Sequence, residues 1–280
     1  MWHHTDPLIP FSPLPPMRTI VSVYDAIPIQ ESDVWAAIRP HRRYAYRRYL
    51  DLVRASRGVI ASLASTASDI EAVIGIPADR IAVVPPYVRR LADRASTVAA
   101  TDSADAPCRF VFVGVLERHK RAELAVDMIA ELVRRGMPAT LTFIGTRPAH
   151  RRAAVQRHAA RLGLTGRIRF VGRLDDEALD SVYARSTLLA TSRVEGFGQP
   201  PVEAILAGGR VVAVPIAAYL ETVGGLATFS TDATAGALAD AALTAAAPPD
   251  EAARRGLAER FGAAAATEAL QQAYDRFGPP

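Results

Sequence analysis

Short apolar runs alternate along this chain with longer stretches in which apolar residues recur at helical spacing. The short runs predict buried strands. They are Arg18 to Tyr24, Gly58 to Ser62, Arg80 to Val84, Arg109 to Leu116, Thr140 to Gly145, Arg167 to Gly172, Thr187 to Ala190 and Arg210 to Val214. Helices are predicted over Arg39 to Arg57, from a Ser65 or Thr66 cap to Ile74, over Arg121 to Arg135, His150 to Leu162 and Asp175 to Ser186, and from Val202 to Ala207. Asp175 is placed to cap its own helix. Two more follow, Ala235 to Ala246 and Asp250 to Phe277. Strands alternating with helices predict an α/β fold with doubly wound parallel sheet. Five prolines (Pro7, Pro10, Pro13, Pro15 and Pro16) crowd residues 1 to 17 and predict an extended loop. The polar stretch Tyr87 to Pro107 shows no period and predicts a linker.

Composition narrows the classes. The chain has 280 residues, half of them apolar, so a sizeable core is available. Formal charge is +4, from 33 basic and 29 acidic side chains, too mild to argue for nucleic acid. Cys108 is the single cysteine, which excludes an intrachain disulfide and a thiolate metal cluster. No apolar run reaches the roughly 20 residues of a membrane span, and Met1-Trp2-His3-His4 does not open a signal peptide. No G-x-G-x-x-G follows a strand, and neither G-x-x-x-x-G-K-[ST] nor G-x-S-x-G occurs. The six histidines show no metal-ligand spacing.

The richest chemistry lies in Ser192-Arg193-Val194-Glu195-Gly196-Phe197-Gly198-Gln199-Pro200-Pro201-Val202-Glu203-Ala204. An apolar strand precedes it and a helix follows, so it falls at the carboxyl end of a parallel strand, where ligands bind. Gly196 and Gly198 permit close backbone approach, the helix start offers amides to an anion, and Glu195 and Glu203 flank the cradle, Glu203 expected in the first helical turn. An ordinary βα turn with one acid near a helix start is the plainer reading of that spacing. After the first strand of the second half comes Gly114-Val115-Leu116-Glu117-Arg118-His119-Lys120, whose cations can neutralise a diphosphate or remain a solvated turn.

The string E-G-F-G-x-P-x-V-E-A resembles the signature of retaining GT-B glycosyltransferases, the large family 4 that uses nucleotide sugars. Further pieces are similar to the family's patterns: Tyr24-Asp25-Ala26-Ile27-Pro28, Val59-Ile60-Ala61-Ser62, Arg80 to Pro86, and Gly114 to Lys120. Tyr24 stands where the family often has histidine, and Val115 and His119 where some members have arginine. The resemblance implies two Rossmann-like domains: an incomplete N-terminal, acceptor-side one over 1–87, a linker over 88–107, a nucleotide-sugar-binding one over 108–248, and a C-terminal helix, 249–280, crossing back. The family's opening strand, glycine loop and first βα units are expected to be missing, as in an N-terminally truncated member.

By the same resemblance, Gly114, Arg118, Lys120, Gly172, Leu174, Glu195, Gly196, Phe197, Gly198 and Glu203 bind the donor. Lys120 and Arg118 meet its diphosphate, the loop at Gly172 and Leu174 its base, and Glu203 its ribose. Glu195 and Lys120 are the implied catalytic residues. Tyr24 and Asp25 fall on the acceptor side, although Asp25 equally suits capping the turn after its strand. Glu221 is read as structural. The implied reaction is retaining transfer of a hexose, as by a mannosyltransferase using GDP-mannose (UDP and dTDP sugars also fit), to a glycan or lipid-linked acceptor in polysaccharide biosynthesis. No metal or other cofactor is expected. A non-catalytic nucleotide-sugar-binding remnant is the alternative. The arginine-rich segment Arg39 to Arg57 reads as a solvated face or as a peripheral contact with anionic lipid at the inner membrane face, with the protein otherwise cytoplasmic; nucleic acid is not expected as a partner.

Overall fold

The computed structural model describes residues 1–5, 15–88, 108–146 and 148–278. The chain divides into two compact units. The first comprises Met1–Arg89, Glu195–Phe197 and Glu259–Pro280; the second comprises Arg90–Val194 and Gly198–Ala258. Apart from Val88, the expected linker lies outside the described residues.

The first unit carries β1 (Trp2–His4), β2 (Thr19–Val23), α1 (Ile27–Gln30), α2 (Ser32–Ala37), α3 (Pro40–Ala55), β3 (Gly58–Ala61), α4 (Ala64–Asp69) with a π-helical turn to Ile74, and β4 (Ile81–Val83). Its four strands are parallel in the order β1-β2-β3-β4. Consecutive strand residues point to opposite faces, so Val21, Val23, Val59 and Ala61 meet α3 through Tyr46, Tyr49, Leu50 and Val53. Full burial of such side chains contributes about 1.5–3 kcal/mol each. Ile20, Ile60 and Ala82 face the other way, onto Ala273 and Phe277 of the last helix.

The second unit carries β5 (Cys108–Val113), α5 (Ala122–Arg134), β6 (Ala139–Ile144), α6 (Ala149–Arg161), β7 (Ile168–Val171), α7 (Asp176–Ala184), β8 (Thr187–Ala190), α8 (Gln199–Leu206), β9 (Arg210–Ala213), α9 (Ala217–Val223), β10 (Thr228–Phe229), α10 (Ala235–Leu243) and α11 (Glu251–Arg260). The six strands are parallel in the order β10-β9-β8-β5-β6-β7. The chain leaves β5 towards β6 and β7, then returns to its other side at β8. The order therefore reverses between β5 and β8, and the crevice outside their carboxyl ends is where this class of sheet binds ligands.

Several expectations are corrected. Residues 1 to 17 are not all loop, because Trp2–His4 pairs with Thr19–Val21 as an edge strand and Pro16–Arg18 forms a 3₁₀ turn. None of the five prolines lies within Trp2–His4, so each residue of that strand keeps its backbone N–H for pairing. Neither Ser65 nor Thr66 caps α4, whose N-cap position is Leu63; Thr66 spends its hydroxyl on the Gly196 carbonyl. The run Asp250 to Phe277 is two helices, α11 and α12 (Ala263–Phe277). The break falls where buried Phe261 packs edge-on against Phe197 at 5.0 Å and Gly262 turns extended. Asp175 does cap α7, accepting the Ala178 N–H at 2.8 Å.

Candidate functional site

The carboxyl edge of the second sheet is built from glycines. β5 runs into Gly114 (φ 135°) and β6 into Gly145 (φ 123°), and Gly172 follows β7. The Gly114 N–H donates to the Ile144 carbonyl at 3.0 Å, and the Gly145 N–H donates to the Gly172 carbonyl at 3.2 Å. A Cβ at Gly145 would stand 2.6 Å from the Gly114 carbonyl oxygen. Positive φ and this approach both require glycine. Gly145 was not among the expected site residues, because one glycine ending a strand looks like any other turn.

Two loops flank the switch point and are tied together. After β5, Arg118–Lys120 forms a 3₁₀ turn that ends on Arg121 in the left-handed region, φ 48°, ψ 51°. Arg121 reaches the loop after β8, where its Nε donates to the Thr191 carbonyl at 2.7 Å and its terminal nitrogen to the Ser192 carbonyl at 3.2 Å. Thr191 returns its hydroxyl to the Lys120 carbonyl at 2.8 Å, and the Arg193 N–H donates to the His119 carbonyl at 2.7 Å. Lys120 is half-buried and Arg118 is exposed, each on a fixed backbone. Sequence reasoning missed Arg121 and Thr191 as positioning residues. Arg121 reads as an ordinary first helical residue, and nothing in the sequence shows its left-handed backbone.

Gly198, at φ 86°, is the N-cap of α8. An α-helix leaves its first four amides without an internal partner. Here two are absent, because those positions are Pro200 and Pro201. An anion at this helix start therefore meets the amides of Gly198 and Gln199, fewer than expected. Glu203 is the fifth residue of α8 and lies in its second turn, which corrects the first-turn placement. It is half-buried, and its Oε2 accepts the hydroxyl of fully buried Tyr183 at 3.1 Å. Leu174 is half-buried beyond β7.

Tyr24, Asp25, Glu195, Gly196 and Phe197 belong to the first unit. Asp25 Oδ1 accepts the Ile27 N–H at 3.0 Å, so it caps the turn after β2. Tyr24 is 50% exposed. The Gly196 carbonyl accepts the hydroxyls of Ser62 at 2.6 Å and Thr66 at 2.7 Å, and a Cβ there would overlap the Tyr24 carbonyl oxygen. Packing thus demands this glycine. The Phe197 ring is buried against Phe261. Glu195 is half-buried.

Of the seven arginines in the segment Arg39 to Arg57, five are engaged within their own unit. Arg43 donates to the Ile38 and Ala36 carbonyls, and Arg47 stacks on Trp35. Arg48 and Arg54 flank Asp51, and Arg57 donates to the Gly278 carbonyl. No helix among the described residues is long and apolar enough to cross a membrane.

Parallel sheets with helices on both faces and a glycine-edged switch point define a Rossmann-like α/β protein, and its structural neighbours are glycosyltransferases of the GT-B fold. The family model for glycosyl transferases group 1 matches residues 93–260, and the chain belongs to that family. It is 32% identical over 190 residues to a D-inositol 3-phosphate glycosyltransferase of Nocardia farcinica, covering 64% of this chain and 41% of that protein. It is 30% identical over 188 residues to a 2-deoxystreptamine glucosyltransferase of Streptomyces kanamyceticus, covering 65% and 47%. The chain thus spans about half or less of the length of these curated relatives. Among solved structures, a sucrose-phosphate synthase from Thermosynechococcus elongatus aligns with a TM-score of 0.72 at 20% identity, over 92% of this chain and 67% of that one. Anabaena HepE in complex with UDP and glucose aligns with a TM-score of 0.63 at 20% identity, over the same shares.

Proposed function

We propose that this chain is a retaining family 4 glycosyltransferase that moves a hexose from a nucleoside diphosphate sugar to an acceptor hydroxyl. The observation that carries the reading is the pair of stitched switch-point loops, which hold Lys120 and Arg118 beside a glycine-edged strand end. Those cations neutralise the donor diphosphate, and charge on the departing diphosphate is what the reaction develops. Glu203 accepts the ribose hydroxyls, and the backbone around Gly172 and Leu174 meets the base. Glu195 stabilises positive charge at the anomeric carbon. The bond from that carbon to the diphosphate oxygen breaks, the acceptor oxygen bonds on the same face, and the acceptor proton passes to the departing diphosphate.

GDP-mannose is the donor we favour, with a glycan or lipid-linked acceptor, and the chemistry requires no cofactor beyond these side chains. A cytoplasmic enzyme touching the inner membrane face through the Arg39 to Arg57 segment fits that acceptor, with Arg39 and Arg42 the arginines left for lipid head groups. Pelleting with anionic vesicles tests the contact, and no binding at low salt would remove it. For the reaction, Glu195→Ala is expected to abolish transfer while far-UV circular dichroism stays unchanged. Undiminished transfer would refute its role.

A further inference from the structure

The first unit holds a cavity of about 400 Å³, well inside the range of small-molecule sites. It opens at the carboxyl ends of β2, β3 and β4, on the face covered by α12. Its apolar lining includes the rings of Tyr24, 50% exposed, Tyr87, 40% exposed, Pro85 and Pro86. Ile60, Val84 and Leu270 supply aliphatic surface. Thr267 supplies an exposed hydroxyl; those of Ser22 and Ser62 also line the cavity, already bonded to His3 and to the Gly196 carbonyl, and keep lone pairs that can accept.

His3 closes one side. Its Nδ1 lies 2.7 Å from the Tyr274 hydroxyl and its Nε2 2.9 Å from the Ser22 hydroxyl, so both ring nitrogens are engaged. Burial, with His4 next to it, pushes the His3 pKa below its ordinary 6.5. Among the described residues that line the cavity there is no carboxylate, ammonium or guanidinium. A phosphate or an amine placed there gives up part of its water without gaining a counter-charge, which disfavours it relative to an uncharged ring.

We propose that this cavity binds an uncharged cyclic alcohol bearing an apolar face, such as an aryl glycoside, and that this is the acceptor class. A ring laid on Tyr24 and Tyr87 keeps its C–H face on the aromatic rings and its hydroxyls towards Ser22, Ser62 and Thr267. The acceptor role rests on the transferase reading above; the binding does not. The two relatives compared above are named for a phosphorylated inositol and an aminocyclitol; the cavity in this chain disfavours both kinds of charge.

Calorimetry of the full chain, without nucleotide, against phenyl β-D-glucoside, glucose 6-phosphate and glucosamine tests this. Phenyl glucoside is expected to bind at least tenfold more tightly than the two charged sugars. Thr267→Trp, at an exposed position on the rim, should weaken it at least tenfold and leave nucleotide affinity unchanged. Tyr87→Ala serves the same purpose if the first variant does not fold. Equal affinity for the three sugars, or no binding of phenyl glucoside, would overturn the cavity while leaving the donor site standing. Nucleotide binding that fails while phenyl glucoside binds would overturn the transferase reading and spare the cavity.

Discussion

The hydroxyl of Tyr183 donates to Glu203 Oε2 at 3.1 Å. Tyr183, on α7, is fully buried, so the bond is shielded from water and fixes one oxygen of the carboxylate assigned to the donor ribose. A hydrogen bond to a charged group is worth about 1.5–3 kcal/mol. Tyr183→Phe is therefore expected to weaken nucleotide binding about tenfold by calorimetry, raising KM for the donor more than it lowers kcat. An unchanged dissociation constant would reduce Tyr183 to a packing role.

Arg121 joins the loops after β5 and β8 through two carbonyls and occupies a left-handed backbone. Arg121→Ala loses the bonds and keeps the strained φ. Arg121→Gly loses the bonds but relieves the backbone, by about 1 kcal/mol. Thermal denaturation should show the alanine variant less stable than the glycine variant, with both below wild type. The same melting temperature for all three would mean that the tie contributes nothing to stability.

Gly145→Ala places a methyl group 2.6 Å from the Gly114 carbonyl oxygen at φ 123°. A loss of about 2 kcal/mol or more is expected from strain and overlap together. The displaced Gly114 backbone should also cost donor affinity. Urea denaturation with parallel nucleotide titration measures both, and a variant with wild-type values would contradict the glycine-edge account.

Burial lowers the His3 pKa from 6.5. The folded state then holds fewer protons on this ring than the unfolded state. The stability this provides is present above the unfolded pKa of about 6.5 and is lost as pH falls through the folded value. Melting temperature is thus expected to fall between pH 7 and pH 5, and the fall should be smaller in His3→Gln. Identical pH profiles for the two proteins would show that His3 does not titrate across folding.

The strand–helix alternation made the parallel sheets legible, because fully buried parallel strands are continuous apolar runs whatever covers them. Thr187–Ala190 begins and ends where expected. Short elements escaped: α1, which contains Pro28, and α2 are too brief to show a period, and β10 has two residues. β1 was hidden because a three-residue edge strand next to a proline-rich stretch carries no alternation. At the site, Glu203, Lys120 and the glycines after β5 and β7 stood out by residue type and place. What fixes them did not. Arg121, Thr191 and Tyr183 act through backbone geometry and through partners 20 to 71 residues away, and no spacing rule encodes such pairs. Phe197 and Gly196 also carry packing roles that no motif shows: the ring meets Phe261, and a Cβ on Gly196 would meet the Tyr24 carbonyl.

Calorimetry of this chain with GDP, UDP and dTDP, repeated on Glu203→Ala, tests the donor site most directly. One nucleotide is expected to bind clearly, and Glu203→Ala should weaken it at least tenfold while circular dichroism stays unchanged. No binding of any of the three to the folded chain, or the same affinity in the variant, would contradict the account.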